Sequence, residues 1–366
     1  MNEKSEYDLS ELRDQIDTID ADILSLINQR LEIGKKVGEI KKETGSRILD
    51  RSRERKVIER LSNINQGPSD KELLRYIFNV IITATREIQK PKTISFLGPE
   101  ASYTHIAALS HFKHSGKFVE QANLYEIFRE VEKKESHFGV IPVENSIEGA
   151  VNHTLDLFVD FDLNICAEHY EPVSHDLLSI TGDPEDVQKI YSHPQALAQC
   201  KTWIKKKFAQ AEIFETSSTS KAAVLASQDK SIAAIASKQA AHIYELQTVE
   251  SKIEDYSGNI TRFLVIGKDM PEQTGNDKTS IMFATSHVPG ALFKVLEPVD
   301  RAGLNMLKLE SRPTRHHDWS YYFFLDIKGH QFDKVVSHTI GKIKKVSLSL
   351  KILGSYPVYV KEEQEA

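Results

Sequence analysis

Apolar residues recur at alternating spacings of three and four through the first forty positions: Leu9, Leu12, Ile16, Ile19, Ile23, Leu26, then Ile33, Val37 and Ile40, with Arg30 occupying one place in the seam. This heptad pattern predicts one long helix. A guanidinium cannot shed its proton to escape burial, so Arg30 in an apolar seam either snorkels to solvent or needs an anion opposite it, a ligand or a flanking Asp or Glu. Lys41 follows at roughly 16 Å of rise and about 20° of rotation, on the same face and within reach of one small dianion. Arg13 is roughly 25 Å away and about 100° around the helix, so only a second, antiparallel copy could bring it to the same ligand.

A turn at Glu43-Thr44-Gly45-Ser46 precedes a second helix, on which Asp50, Arg53 and Glu54 share a face. Gly67-Pro68 ends that helix, and Ser69 with Glu72 reads as a capping box opening a third. The third presents Leu73, Leu74, Ile77, Phe78, Ile81 and Ile82 as its buried side and places Thr85 and Gln89 one turn apart. The first helix is too long for the other two to cover, which implies an intertwined dimer. The pocket suits a dicarboxylate bearing a hydroxyl.

From Thr93 the rhythm changes to short apolar strands alternating with amphipathic helices, each strand running into a polar cluster. Helices are expected to open at Pro99 to Thr104, Glu144-Asn145-Ser146, Ser192-His193-Pro194, Thr216 to Ser220 and Ser237-Lys238. Helix N-termini gathered at the strand ends of an α/β sheet favour an anionic small molecule in a crevice. A polar linker over 268–278 then leads to a βαββαβ order, with strands at 279–286, about 304–312, 319–328 and 347–355 and helices at 289–302 and 331–345.

With 366 residues, 40% hydrophobic and 27% charged, the chain is expected to form several globular domains. A net charge of −6 gives no reason to expect a nucleic-acid partner. No membrane span and no signal peptide are read, and Cys166 and Cys200 alone suggest no disulfide scaffold, so a cytoplasmic protein is expected. His111 with His114, and His316-His317, lack companions at metal-ligand spacing. The 17 glycines are scattered, without a nucleotide fingerprint. No metal or other cofactor is expected.

Residues 8–90 resemble the all-helical chorismate mutase domain. The resemblance implies that Arg30, with Arg13 of the partner subunit, binds two carboxylates, while Lys41 and Gln89 act on the ether oxygen. Arg53 and Thr85 would support the carboxylates, and Asp50 and Glu54 would hold the ring hydroxyl. Thr85 stands where the best-known members carry serine.

GVIPVENSIEG (139–149), YSHPQALAQC (191–200), STSKAA (218–223) and GNITRFLVI (258–266) together resemble prephenate dehydratase. That family is a two-lobed α/β fold like the periplasmic binding proteins. The resemblance makes Thr261 the leading catalytic residue, beside Arg262 and Phe263, with Glu144, Asn145, Ser192, Gln199 and Thr219 lining the cleft. Thr261 would polarise the leaving hydroxyl, with Glu144 or a water supplying the proton. Ser217 replaces an acidic residue common in relatives. PGALFKVL (289–296), Gly303-Leu304-Asn305 and LESRP (309–313) resemble a phenylalanine-responsive ACT domain with a ferredoxin-like fold. Leu304, Asn305 and Ser311 are the positions this assigns to the regulatory ligand.

The expected architecture is therefore a multidomain α + α/β + α+β chain: a helical mutase domain (1–91), a dehydratase domain (92–272) and an ACT domain (279–358). The expected function is conversion of chorismate to prephenate and of prephenate to phenylpyruvate, inhibited by phenylalanine, in a homodimer with or without further pairing. Two alternatives are an arogenate-using dehydratase and a ligand-binding sensor whose helices only dimerise it.

Overall fold

Asp8 starts the first helix by accepting a hydrogen bond from the Ser10 backbone N–H at 3.1 Å, and the heptad sequence carries it through 35 residues. In this computed structural model, which describes residues 8–44, 51–89, 91–113, 116–313 and 321–360, α1 spans Leu9–Glu43, α2 Arg51–Ile64 and α3 Lys71–Gln89. Asp50, the Gly45-Ser46 turn, His114, His316 and His317 lie outside the described residues. The chain divides into two compact units, with the main division between Lys92 and Thr93 and a short stretch ending at Lys117 grouped with the first.

Three local expectations for the helical unit change. The cap of α3 is Asp70, whose carboxylate accepts from Leu73 N at 2.7 Å, while the Ser69 carbonyl accepts from the Asn65 side chain. A carboxylate one residue nearer the helix serves better than a hydroxyl, because its full charge meets the positive end of the helix dipole. Arg30 also leaves the seam: it is half-buried toward α3, whereas Ile16, Ile19, Ile23, Leu26, Ile33 and Ile40 are exposed on the protomer. The face that packs on α3 carries Gly34 and Gly38 instead, both buried. On α3 itself Leu74 and Ile82 are buried, but Leu73 and Ile77 are exposed.

In the second unit the chain builds one α/β lobe, crosses to another and returns. The first lobe contains β1 (Lys92–Leu97), α4 (Tyr103–Phe112), β2 (Gly116–Gln121), α5 (Leu124–Glu132), β3 (Phe138–Asn145), β4 (Gly149–Ala150), α6 (Asn152–Asp160) and β5 (Asn164–Pro172). The second contains β6 (Asp176–Ser179), β7 (Lys189–Ser192), α7 (Pro194–Gln199), α8 (Lys201–Lys207), β8 (Glu212–Glu215), α9 (Thr219–Ala226), β9 (Ile232–Ala236), α10 (Lys238–Ile243) and β10 (Gln247–Glu250). The return strand β11 (Ile260–Gly267) inserts between β3 and β5, giving the order β2-β1-β3-β11-β5 with β4 paired to β3; the other sheet runs β10-β6-β9-β7-β8. The two crossings are bonded to each other, Val173 N to Asn259 O and Ile253 N to His175 O, both at 2.8 Å.

Helix openings follow the predicted polar clusters at Ser102, Ser218 and Ser237, whose hydroxyls cap α4, α9 and α10, and at Pro194, the first residue of α7. Glu144-Asn145-Ser146 differs. There the chain turns back to pair β4 with β3, and the helix begins only at Asn152. Asn145 makes that turn by accepting the Ile147 and Glu148 backbone N–H groups on its side-chain oxygen.

The C-terminal region folds as β12 (Asp277–Ala284), α11 (Ala291–Arg301), β13 (Met306–Pro313), β14 (Tyr321–Lys328), α12 (Lys334–Val346) and β15 (Ser349–Pro357), with sheet order β13-β14-β12-β15. The βαββαβ order is the one expected, with element ends moved by no more than three residues. This sheet backs onto the first lobe: Met282, Phe324, Leu353 and Tyr356 share a core with Ile165, Leu264 and Ile266. Gly354 permits the approach, since a Cβ there would lie 2.3 Å from the Ile165 carbonyl oxygen.

Candidate active sites

Six of the polar residues predicted from the helical region line one cavity of about 310 Å³: Arg30, Lys41, Arg53, Glu54, Thr85 and Gln89. Two α1 cations and two α3 polar groups converge because Gly34 and Gly38 let the helices approach closely. A Cβ at Gly34 would lie 2.3 Å from Thr85 Cγ2, and one at Gly38 only 2.7 Å from Gln89 Cα. These glycines, one turn apart, are the positioning element that the polar pattern did not reveal; their i, i+4 spacing was the available signal.

Arg30 donates to the Ile81 carbonyl at 3.2 Å and to the Thr85 hydroxyl, which itself donates to Ile81 O at 2.7 Å. Burial lowers the Arg30 pKa from its ordinary value, but an arginine remains charged at neutral pH. Glu54 lies 3.5 Å from Arg86, a further cation in the cavity wall. Arg13 is exposed on α1 and is not among the residues lining this cavity.

In the second unit the sites follow from the alternation of strand β11. Thr261 pairs with Asn145 across the sheet, and Arg262 with Glu144. Successive strand residues face opposite sides, so Thr261 and Arg262 part company. Asn145 Nδ2 donates to Thr261 Oγ1 at 2.9 Å and to Asn259 Oδ1 at 2.8 Å, and Asn259 Nδ2 donates to Gln199 Oε1 at 3.3 Å. Three residues predicted from separate blocks, Asn145, Gln199 and Thr261, are thereby joined, with Asn259 as a link that the sequence reading passed over.

The remaining predicted residues of this cleft are placed differently. Arg262 is 6% exposed and turns toward the C-terminal sheet, donating to Glu168 at 2.9 Å, Asp326 at 2.8 Å and the Tyr356 hydroxyl at 3.1 Å. Lys278 lies 2.5 Å from Glu168, and Ser280 bonds both Asp326 and Tyr356. Burial alone would lower the Arg262 pKa, yet Asp326, Tyr356 and Glu168 outweigh it and the pKa is raised. Burial lowers that of Lys278, with Arg262 adding to the effect. Glu144 shares the Arg262 side, 2.7 Å from Lys308 and 4.0 Å from Arg262. Phe263 is buried in the first lobe's core with Ile94, Phe96 and Val140. Ser192 is fully buried and spends its hydroxyl on the Ile235 carbonyl at 2.6 Å. Thr219 is half-buried at the start of α9. Glu148, just past Asn145, has its carboxyl pushed above the ordinary range by desolvation, with His193 pulling the other way.

In the C-terminal region Leu304 and Asn305 line a cavity of about 390 Å³ with Phe293, Leu296, Arg301 and Met306. Ser311 is not part of that wall; it is exposed on β13 opposite Phe323. Among the described residues, no helix is long and apolar enough to cross a membrane.

A cation-lined cavity in the helical unit and a hydrogen-bonded polar cluster where two α/β lobes meet place two candidate small-molecule sites on one chain, the pattern of a two-domain enzyme. The sequence matches chorismate mutase type II over residues 12–90 and prephenate dehydratase over 94–271. A bifunctional chorismate mutase/prephenate dehydratase of Aquifex aeolicus (strain VF5) is 41% identical, across 97% of this chain and 99% of that one. Among solved structures, prephenate dehydratase in complex with L-Phe from Arthrobacter aurescens is 29% identical with a TM-score of 0.67, covering 73% of this chain and 90% of that one. A chain described as GqqA, a novel type of quorum quenching acylase, has the same TM-score at 26% identity, covering 73% and 98%. Identity that extends across both units decides between these names: the chain belongs to the bifunctional chorismate mutase/prephenate dehydratase family, and it is an enzyme of phenylalanine biosynthesis with both activities.

Proposed function

We propose that the helical cavity rearranges chorismate and that the interlobe cleft dehydrates prephenate, with phenylalanine acting on the C-terminal region as a feedback inhibitor. The observation that carries the first assignment is the convergence of Arg30, Lys41, Arg53, Glu54, Thr85 and Gln89 on one cavity. Chorismate rearrangement needs no nucleophile and no proton transfer. Catalysis there reduces to holding a compact conformer and stabilising charge on the departing ether oxygen. Arg30, buttressed by Thr85, binds a carboxylate with Arg53 nearby; Lys41 and Gln89 face the ether oxygen; Glu54, with Asp50, holds the ring hydroxyl. Arg13 reaches the site from the partner subunit. The exposed apolar stripe of α1 supports this homodimer, as do the exposed Met306, Leu307 and Leu309 on the edge strand β13.

Prephenate must lose carbon dioxide and its ring hydroxyl together, so the hydroxyl needs a donor while the departing carboxylate must not be clamped by a strong cation. Thr261 is the donor in this reading. Asn145 occupies an acceptor site on its oxygen and leaves its O–H for substrate. The engagement of Arg262 with Glu168 and Asp326 supports a cleft free of that cation, and the involvement of Glu144 with Lys308 favours water as the proton source. Phenylalanine binds at Leu304 and Asn305. The enzyme works in the cytoplasm, where free Cys166 and Cys200 are ordinary.

Feeding purified protein with chorismate while following chorismate, prephenate and phenylpyruvate, with and without phenylalanine, tests the whole reading. Accumulation of phenylpyruvate that phenylalanine suppresses is expected. Thr261→Ala should stop at prephenate with mutase turnover intact; equal loss of both activities would refute the division of labour. Arogenate offered in place of prephenate should turn over poorly.

A further inference from the structure

The two crossings between the lobes carry a hydrogen-bond chain whose direction is set by backbone groups. Asn145 Oδ1 receives the N–H of Ile147 at 3.0 Å and of Glu148 at 3.2 Å, so its Nδ2 must face the other way, toward Thr261 and Asn259. Asn259 Oδ1 therefore accepts, from Asn145 and from the Ser146 hydroxyl at 3.3 Å, and Asn259 Nδ2 donates to Gln199 Oε1. Gln199 Oε1 also faces His175 Nε2 at 3.0 Å. An amide oxygen can only accept, so His175 holds its proton on Nε2. The other ring nitrogen faces the Tyr103 hydroxyl at 3.4 Å. Among the described residues, nothing claims the Gln199 amide nitrogen or the Thr261 hydroxyl proton as donors. Both donors are left for whatever occupies the cleft.

We propose that Asn259 and His175 are positioning residues of the dehydratase: they fix the Gln199 amide and, through Asn145, the Thr261 hydroxyl so that both present hydrogen-bond donors to the substrate. The proposal rests on the reading of Thr261 as the group facing the leaving hydroxyl. It goes further by assigning roles to two buried residues, 4% and 3% exposed, that do not themselves meet substrate. His175 is suited to this as a neutral ring, and burial lowers its pKa below the ordinary histidine value. The arrangement also ties donor orientation to lobe geometry, since Asn259 and His175 sit on the two crossings and Gln199 on α7 of the second lobe.

The test uses the full-length enzyme and compares four changes. Asn259→Asp keeps the acceptor toward Asn145 but removes the N–H toward Gln199. His175→Phe removes the donor while filling the space, and His175→Gln restores an N–H. Dehydratase kcat should fall between roughly tenfold and a hundredfold in Asn259→Asp and His175→Phe, as for a misaligned catalytic group. KM should move much less, and His175→Gln should recover part of the loss. In a Gln199→Ala background Asn259→Asp should add little, because its partner is already gone. Unchanged kcat in both single variants, or losses that simply multiply with Gln199→Ala, would overturn the proposal. Thr261→Ala run alongside separates the two failures: if it leaves turnover intact, the reading of Thr261 falls and the relay with it.

Discussion

Replacing Gly38 with alanine should damage mutase chemistry far more than stability. The added Cβ would sit 2.7 Å from Gln89 Cα, 2.9 Å from its Cβ and 2.9 Å from its carbonyl oxygen, where ordinary contacts begin at 3.4 Å. The obstacle is Gln89's own backbone, so no side-chain rotation relieves it and α1 and α3 must separate by about 0.7 to 1.3 Å. For stability the terms oppose each other. Overpacking costs about 1–3 kcal/mol, while alanine in a helix interior gains roughly 0.8–1.0 kcal/mol over glycine. For catalysis nothing offsets the shift: Lys41 and Gln89 sit on the two helices being separated, and misplacement of about 1 Å costs on the order of a hundredfold, or about 2.7 kcal/mol. Steady-state chorismate consumption should fall by that factor, with dehydratase turnover on added prephenate kept within twofold because its residues belong to the second compact unit. Wild-type chorismate turnover in Gly38→Ala would refute the close-approach argument.

Gln89→Glu should confine mutase activity to acidic pH, since only the protonated acid can donate to the ether oxygen; a flat rate profile from about pH 5 to 8 would contradict this. Asp326→Ala should destabilise the second unit by roughly 3–5 kcal/mol in chemical denaturation, because it strips a carboxylate from the buried Arg262. His105 and His175 are both buried with pKa values below the ordinary 6.5. The unfolded chain binds protons there that the folded chain refuses, so stability is full above about pH 6.5 and declines as pH falls toward the folded values. Thermal unfolding across that range reads the loss, and replacing both residues with Gln should flatten it.

Architecture was legible wherever one local rule dominated. The three- and four-residue spacing of α1, the βαββαβ order and the capping hydroxyls at Ser102, Ser218 and Ser237 each express a single propensity. Side-chain direction was less so. Residues 261–263 read as one catalytic run, yet a strand alternates its faces, and a register shift between Arg262 and Phe263 adds a bulge. Arg262 therefore meets carboxylates on β5 and β14, 94 and 64 residues away. Such long-range partners leave no mark in a local pattern. Ser192 misled in a similar way: the Ser-His-Pro opening is real, but its hydroxyl is consumed by a neighbouring strand. Gly34 and Gly38 bear no charge and no hydrogen-bonding side chain, so their part in bringing Lys41 and Gln89 together emerges only when α1 and α3 pack.

On the proposed reading of phenylalanine as an inhibitor, the two faces of β11 supply a physical route for it. A residue pair one position apart carries Thr261 toward the cleft and Arg262 into an ion cluster with Glu168, Lys278 and Asp326 from strands of both the lobe and the C-terminal sheet. A buried pair whose disruption costs roughly 3–5 kcal/mol is strong enough to transmit the 1–3 kcal/mol of a typical coupling without being broken by it. Motion of the C-terminal sheet is therefore more easily accommodated by carrying β11 along with β5, whose Glu168 also holds Arg262, than by parting Arg262 from Asp326. A shift of β11 moves Thr261 against Asn145, which the turn at 147–148 holds in place. If phenylalanine acts on the C-terminal sheet as proposed, the Thr261 hydroxyl is the first group of the cleft to feel it.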